Sequence, residues 1–248
     1  MQGLNENKIK EKKSGGVKNI FTDYLDAVHT RKNLFLLWAC LLPMGILLLL
    51  YVSLKVYPFG DGSVLVLDLN GQYVYFFEEL RSKILSGGSL LYSWSRSLGG
   101  EFLGIFAYYL ASPFSILVCL FPKAHITEAL LLILLLKAGS CGFTMSLYLK
   151  NSYPARKSSM VAFSTMYALC SFAVVQAHNT MWIDELIFLP LVVLGIERLI
   201  KKKDFVLYTV SLAFCAMSNF YIGYMVCIFT FFYFFYYYFA GSGSGKNN

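Results

Sequence analysis

The chain is built from long apolar blocks separated by short polar, lysine-rich intervals. Leu34 to about Leu54 is almost wholly apolar, and about 20 such residues cross a hydrocarbon core as a helix. Pro43 predicts a kink inside it. Ile126–Leu149, Ser158 to about Val175 and Leu186–Ile200 are further blocks. Phe205–Phe239 is too long for one crossing, and its polar break, Ser218-Asn-Phe-Tyr-Ile-Gly223, predicts a hairpin. Ahead of all these, residues 1–19 are polar and basic, while Ile20–Lys32 carries Phe21, Tyr24, Leu25 and Val28 at the spacing of a short interfacial helix.

Glu101–Phe121 decides the topology. It is long enough to span, but Gly104, Pro113 and Pro122 interrupt or bound it, which suits two interfacial or re-entrant pieces equally well. If it does not span, Lys150, Arg156, Lys157 and Lys201–Lys203 all lie on the side of the basic N-terminus, as the positive-inside rule requires. If it spans, both later clusters move outside. The expected organisation is therefore an all-α polytopic membrane protein. It has a cytoplasmic basic segment 1–33, a domain 34–239 of about six spans with an outer loop 55–125, and a flexible tail 240–248, native or engineered.

A different pattern occupies the outer loop. Tyr73, Phe76, Phe77, Leu80 and Ile84 fall on one helical face, with Gln72, Glu79, Arg81 and Lys83 on the other. Such a helix lies along a membrane surface. Asp68 stands just before it, so a carboxylate is expected where bilayer, protein and water meet. Simple helix capping by Asp68 or Asn70 is the alternative.

Composition agrees with the pattern: 57% of the 248 residues are hydrophobic and 14% charged, against about 25% charged in soluble domains. The net charge of +7 comes from lysines and arginines at the ends of apolar blocks, not from a stripe interleaved with exposed aromatics, so it marks topology and excludes a nucleic-acid partner. The six cysteines lie inside apolar blocks without CxxC spacing and read as small buried residues. No small-residue cleavage site follows the first block, which is thus a retained anchor.

On this topology Asp61, Asp68, Glu78, Glu79, Glu101, Asp184 and Glu185 all fall on the outer side. Acids beside apolar helices are costly and are candidates for function. Asp184 and Glu185 are expected at the outer end of a helix, directly after Trp182, itself an expected interfacial belt residue. His178 is a lone loop histidine. Lys137 sits within an apolar run, so it should neutralise a phosphate or a facing carboxylate if it cannot snorkel. The Asn219-Phe-Tyr221 break is expected to wall a cavity, because irregular backbone survives at membrane depth only when covered.

Taken together, Asp68-Leu-x-x-Gln72-Tyr73, Leu91-Tyr-Ser-Trp94 with Leu98-Gly-Gly100, Tyr109-x-x-Ser112-Pro113-Phe114, Trp182-x-Asp184 with Leu189-Pro190, and Asn219-Phe-Tyr221-x-Gly223-Tyr224 resemble the YfhO family of bacterial membrane proteins. The resemblance implies a GT-C-type glycosyltransferase of the bacterial plasma membrane. Such an enzyme takes a sugar from a polyprenyl-phosphate carrier on the extracytoplasmic face and passes it to a cell-envelope polymer such as lipoteichoic acid. It further implies that Asp68 is the acid of the first outer loop and that this chain is a fragment, since family members are several times longer.

In that reading Asp68 is the base, Asp184 steadies the oxocarbenium-like carbon, and Lys137, Arg81 or Arg96 meets the departing phosphate. Gln72, Tyr73, Trp182, Asn219 and Tyr221 complete the expected substrate contacts. No cofactor is required, and a divalent cation between acids is compatible. The alternatives are a transporter or flippase half, with Lys137 and the broken hairpin lining a path, and a non-catalytic envelope scaffold.

Overall fold

In the computed structural model, residues 33–96 and 98–244 are described. The segment 1–32 and residues 245–248 lie outside them, and with them nearly all of the expected N-terminal segment, its interfacial helix and the end of the tail. The apolar blocks form helices. Helix α1 is Leu34–Ser53, with Pro43 inside it. A π-helical turn, Leu69–Tyr73, leads into α2, Val74–Ser86. A two-stranded hairpin pairs β1, Tyr92–Ser93, with β2, Gly100–Glu101. Then follow α3, Leu103–Leu110, a 3₁₀ helix Pro113–Leu120, and α4, Ile126–Ser152. The rest is α5, Lys157–Ala168, α6, Ser171–Val175, α7, Thr180–Lys202, α8, Val206–Ser218, and α9, Phe220–Ser244.

The helices pack side by side with their ends sorted into two groups. At one end Lys150 Nζ donates to Asn33 Oδ1 at 2.9 Å, Ser152 Oγ to Glu197 at 2.8 Å, and Tyr233 Oη to Glu197 at 3.2 Å. This gathers the start of α1 with the ends of α4, α7 and α9. At the other end Tyr57 Oη donates to Glu128 at 3.0 Å, Tyr73 Oη to Asn179 at 3.1 Å, and Asn219 Nδ2 to the Tyr108 carbonyl at 3.0 Å. Residues 55–125 therefore form a cap over the starts of α4, α7 and α9. Glycines permit the closest helix approaches: a Cβ on Gly142 would collide with the Ala39 carbonyl of α1, and one on Gly195 with the backbone of Tyr208 in α8.

Among the described residues three helical stretches, Leu34–Ser53, Lys123–Ser152 and Phe220–Phe239, are long and apolar enough to span, or four if the bent pair is counted as one. The other three of the six expected spans do not meet this measure of length and composition, each for its own reason. The block 158–175 is broken, because Cys170 adopts an extended conformation between α5 and α6. Helix α7 has the length, 23 residues, but carries Asp184, Glu185 and Glu197. Helix α8 has only 13 residues. As for Glu101–Phe121, its two halves meet at 101°, with Ser112 extended at the corner (ψ 135°) ahead of Pro113. This is the two-piece reading, since a proline disfavours helix in the residue before it.

Four further expectations are corrected. Helix α7 begins at Thr180, not Leu186, so Asp184 and Glu185 lie inside it rather than at its outer end. The hairpin break narrows to the single residue Asn219. Helix α9 continues through Ser244, so the tail expected from residue 240 starts as helix. In α2, Val74 is buried with Tyr73, Phe77 and Leu80, while Phe76 is half-buried and Ile84 is 40% exposed. The wider π turn shifts the register of the apolar face. That face packs against Phe102, Ile105, Leu130, Ile133 and Met181, so protein rather than lipid covers it.

Candidate functional site

Asp68 is exposed and does not cap: the N–H groups of Leu69, Asn70 and Gly71 already donate to the carbonyls of Val66 and Leu67. With no orphan N–H to satisfy, the carboxylate is left to the Tyr73 hydroxyl at 3.4 Å. Tyr73 is buried, and its one hydroxyl proton is shared between Asp68 and the nearer acceptor, Asn179 Oδ1 at 3.1 Å. Asn179 Nδ2 in turn reaches Gln176 Oε1 at 2.9 Å and His178 Nε2 at 3.1 Å, and His178 Nδ1 meets the Val175 carbonyl at 3.1 Å. These contacts place the imidazole proton on Nδ1 and fix the amide so that its oxygen faces the phenol. Tyr73 also stacks near Tyr109, ring centroids 5.0 Å apart, and Tyr109 near Phe76 at 5.3 Å. Burial first, then the Asp68 charge, hold the Tyr73 phenol protonated well above the usual phenol range.

One residue beyond Asn179 the environment changes. The Thr180 carbonyl accepts from Lys137 Nζ at 2.7 Å, and the same ammonium pairs with Asp184 Oδ2 at 2.8 Å. Both side chains are buried, at 1% and 0% exposure. Ser112 Oγ, at the corner of the bent pair, donates to Asp184 Oδ1 at 3.0 Å, and the Phe114 ring lies 5.7 Å from Lys137 Nζ. Lys137 has therefore found the facing carboxylate, not a phosphate. Asp184, expected to steady a reacting sugar carbon, is sealed and neutralised instead. Next to it Glu185 accepts from Cys215 Sγ through Oε2, while its Oε1 is buried without a protein partner.

The remaining expected contacts divide. Arg81 Nε is spent on the Phe121 carbonyl at 2.5 Å. Arg96 donates to the Glu101 carbonyl at 3.1 Å and meets no carboxylate at ion-pair distance among the described residues. Gln72 is exposed. Asn219 caps α9, accepting from the Ile222 N–H at 3.0 Å, and ties α9 to α3 through Tyr108. Trp182 and Tyr221 face each other with ring centroids 6.2 Å apart, and the indole N–H is buried without a protein partner. No cluster of three or more His, Cys, Asp or Glu side chains able to hold a metal exists among the described residues. The donor set at Asp68 is one carboxylate and one phenol, which does not fit a divalent ion.

Asn179 is the member of this hydrogen-bonded cluster that pattern reading missed. Asn-Thr ahead of the periodic Met181, Ile183 and Ile187 is a helix-start signal that identifies it in hindsight. Ser112 and Tyr109 belong to a quoted motif, but their work depends on the 101° corner.

Neither a curated protein nor a solved structure matches the chain. The family model described as bacterial membrane protein YfhO matches residues 39–247, which covers both the cap and the helices beneath it. The chain belongs to the YfhO family of bacterial membrane proteins.

Proposed function

We propose that this chain is the acid-bearing part of a membrane glycosyltransferase that moves a sugar from a polyprenyl-phosphate carrier to a cell-envelope polymer such as lipoteichoic acid, working on the extracytoplasmic side. The observation that carries the reading is the state of Asp68: exposed, free of capping, and tied through Tyr73 and Asn179 to the start of a buried helix. Among the described residues this carboxylate holds neither a helix end nor an ion pair, which leaves it lightly held for a substrate proton, and family membership supports the same assignment.

In the reaction the acceptor hydroxyl oxygen forms a bond to the anomeric carbon as the bond from that carbon to the phosphate oxygen breaks. The phosphate leaves with the bonding electrons, and Asp68 takes the hydroxyl proton. The transport reading loses support, because Lys137 is paired and Asn219 is engaged as a cap.

Two measurements test the proposal. Full-length family protein carrying Asp68→Asn, supplied with polyprenyl-phosphate sugar, is expected to lose transfer. Transfer at the parental rate refutes the base assignment, and rescue of the cellular defect by that variant favours a scaffold. Single cysteines introduced at the exposed positions Ser89 and Ser158 are expected to react with an impermeant reagent from outside at 89 and not at 158. The reverse pattern turns the cap to the cytoplasm and ends this reading.

A further inference from the structure

His178, in the turn between α6 and α7, stands at the far end of the hydrogen-bond chain that reaches Asp68, and counting protons gives that chain a direction. The Val175 carbonyl can only accept, so His178 Nδ1 carries the proton and Nε2 presents a lone pair. Asn179 Nδ2 donates to that Nε2 at 3.1 Å and to Gln176 Oε1 at 2.9 Å. Both amide protons are committed on this side, which leaves Oδ1 to face the Tyr73 hydroxyl at 3.1 Å. The phenol has one proton and two acceptors, and the nearer is Asn179, not the Asp68 carboxylate at 3.4 Å. The proton is thereby drawn away from the acid.

The opposite direction is open to the same atoms. The backbone of Asn179 is pinned, its N–H donating to the Gln176 carbonyl at 2.9 Å and its carbonyl accepting from the Trp182 N–H at 2.9 Å. With the residue only 6% exposed, a half-turn of the side-chain amide is the freedom left to it. After such a turn Nδ2 would face the Tyr73 oxygen, and the phenol proton would have Asp68 alone to go to. Gln176 does not decide between the two, because its own amide can turn and offer either end. His178 does, since an imidazole whose Nδ1 proton is held by the Val175 carbonyl can only accept at Nε2. We propose that His178 is a positioning residue: acting through Asn179, it sets which way the Tyr73 hydroxyl points and keeps the phenol proton off Asp68, so that the carboxylate is free to take a proton from a substrate hydroxyl. The last step rests on the transferase reading above; the direction of the chain does not.

Nitrogen NMR of the detergent-solubilised chain carrying isotope-labelled histidine, with His178→Gln to assign the signals, reads the direction without any reaction. A proton on Nδ1 and a bare, hydrogen-bonded Nε2 are expected, and a proton on Nε2 overturns the proposal. The consequence is read in transfer by the full-length family protein. His178→Arg, which presents only donors, should turn the amide over. It is expected to lower kcat about two- to tenfold, the worth of one neutral hydrogen bond, with KM and thermal unfolding unchanged. The acid side of its pH profile should move to lower pH, because a phenol that donates to a carboxylate favours the charged form. His178→Gln, whose amide offers either end, should fall between. In a Tyr73→Phe background His178→Arg should cost nothing further, since no phenol proton remains to redirect. Additive losses there, or an unmoved pH profile in His178→Arg, overturn the proposal. Parental transfer by Asp68→Asn with the proton found on Nδ1 would refute the transferase reading and leave the direction of the chain standing.

Discussion

Two carboxylates flank the start of α7, and they have been put to opposite uses. Asp68 stands in the cap, exposed, with a single phenol hydroxyl at 3.4 Å. Asp184 lies one helical turn inside α7 with no exposure, held by an ammonium at 2.8 Å and a serine hydroxyl at 3.0 Å. The sequence offers both as acids beside aromatic residues near a membrane boundary. The difference is one of available lone pairs and water. A carboxylate already neutralised and desolvated has no capacity left for a substrate proton, whereas one that is hydrated and lightly held does. Asp184 instead locks together three elements that pattern alone leaves separate: α4 through Lys137, α7 through its own backbone, and the bent pair through Ser112.

Substitution should separate the two sites by what is lost. Asp68→Asn is expected to cost transfer about 10²–10⁴-fold, the range of general-base catalysis, with no change in thermal unfolding. Lys137→Met should do the reverse first. It leaves the Asp184 charge buried and unpaired, which costs about 3–5 kcal/mol, read as a lowered unfolding temperature in detergent. Replacing both partners, Lys137→Met with Asp184→Leu, should recover most of that loss, because an apolar pair needs no compensation. If the single variant unfolds where the parent does, the pair is not what holds the cap to the bundle. If the double variant regains stability but not transfer, Asp184 has a role in the chemistry after all.

How far the sequence could show this depends on what each feature rests upon. The ends of α4 and α7 that carry Lys150 and Lys201–Lys202 lie together beside the start of α1, where local basic signals mark them, and Gly104, Pro113 and Pro122 announce the bend between residues 103 and 120. The break at Cys170 has no such signal: no proline or glycine lies between residues 156 and 175. Lys137 demanded a partner from its burial alone, yet the choice between a phosphate and Asp184 turns on a contact across 47 positions, which periodicity does not carry. Asn179 escaped for a related reason. Placing 177–185 in a loop concealed that α7 starts at Thr180 and that the amide before it faces Tyr73.

The link between the two regions is the Tyr73 hydroxyl, and its removal gives the smallest and most discriminating effect. Tyr73→Phe keeps the ring packing on Tyr109 and Phe76 but leaves Asn179 Oδ1 buried without its donor, at a cost of about 1–3 kcal/mol. Transfer should fall by less than in Asp68→Asn, since the base itself remains. The pH dependence identifies the cause. Burial and the Asp68 charge raise the phenol pKa in the folded chain, so its contribution is fully present below the unfolded phenol value of about 10. It is lost as pH rises through the folded value, because the unfolded chain ionises first. The stability gap between parent and Tyr73→Phe should therefore be constant from pH 7 to about 10 and narrow above it. A gap of zero at every pH would mean that the ring alone secures the cap. The hydroxyl would then have no part in orienting Asp68, and the carboxylate would owe its position to the Leu69–Tyr73 turn alone.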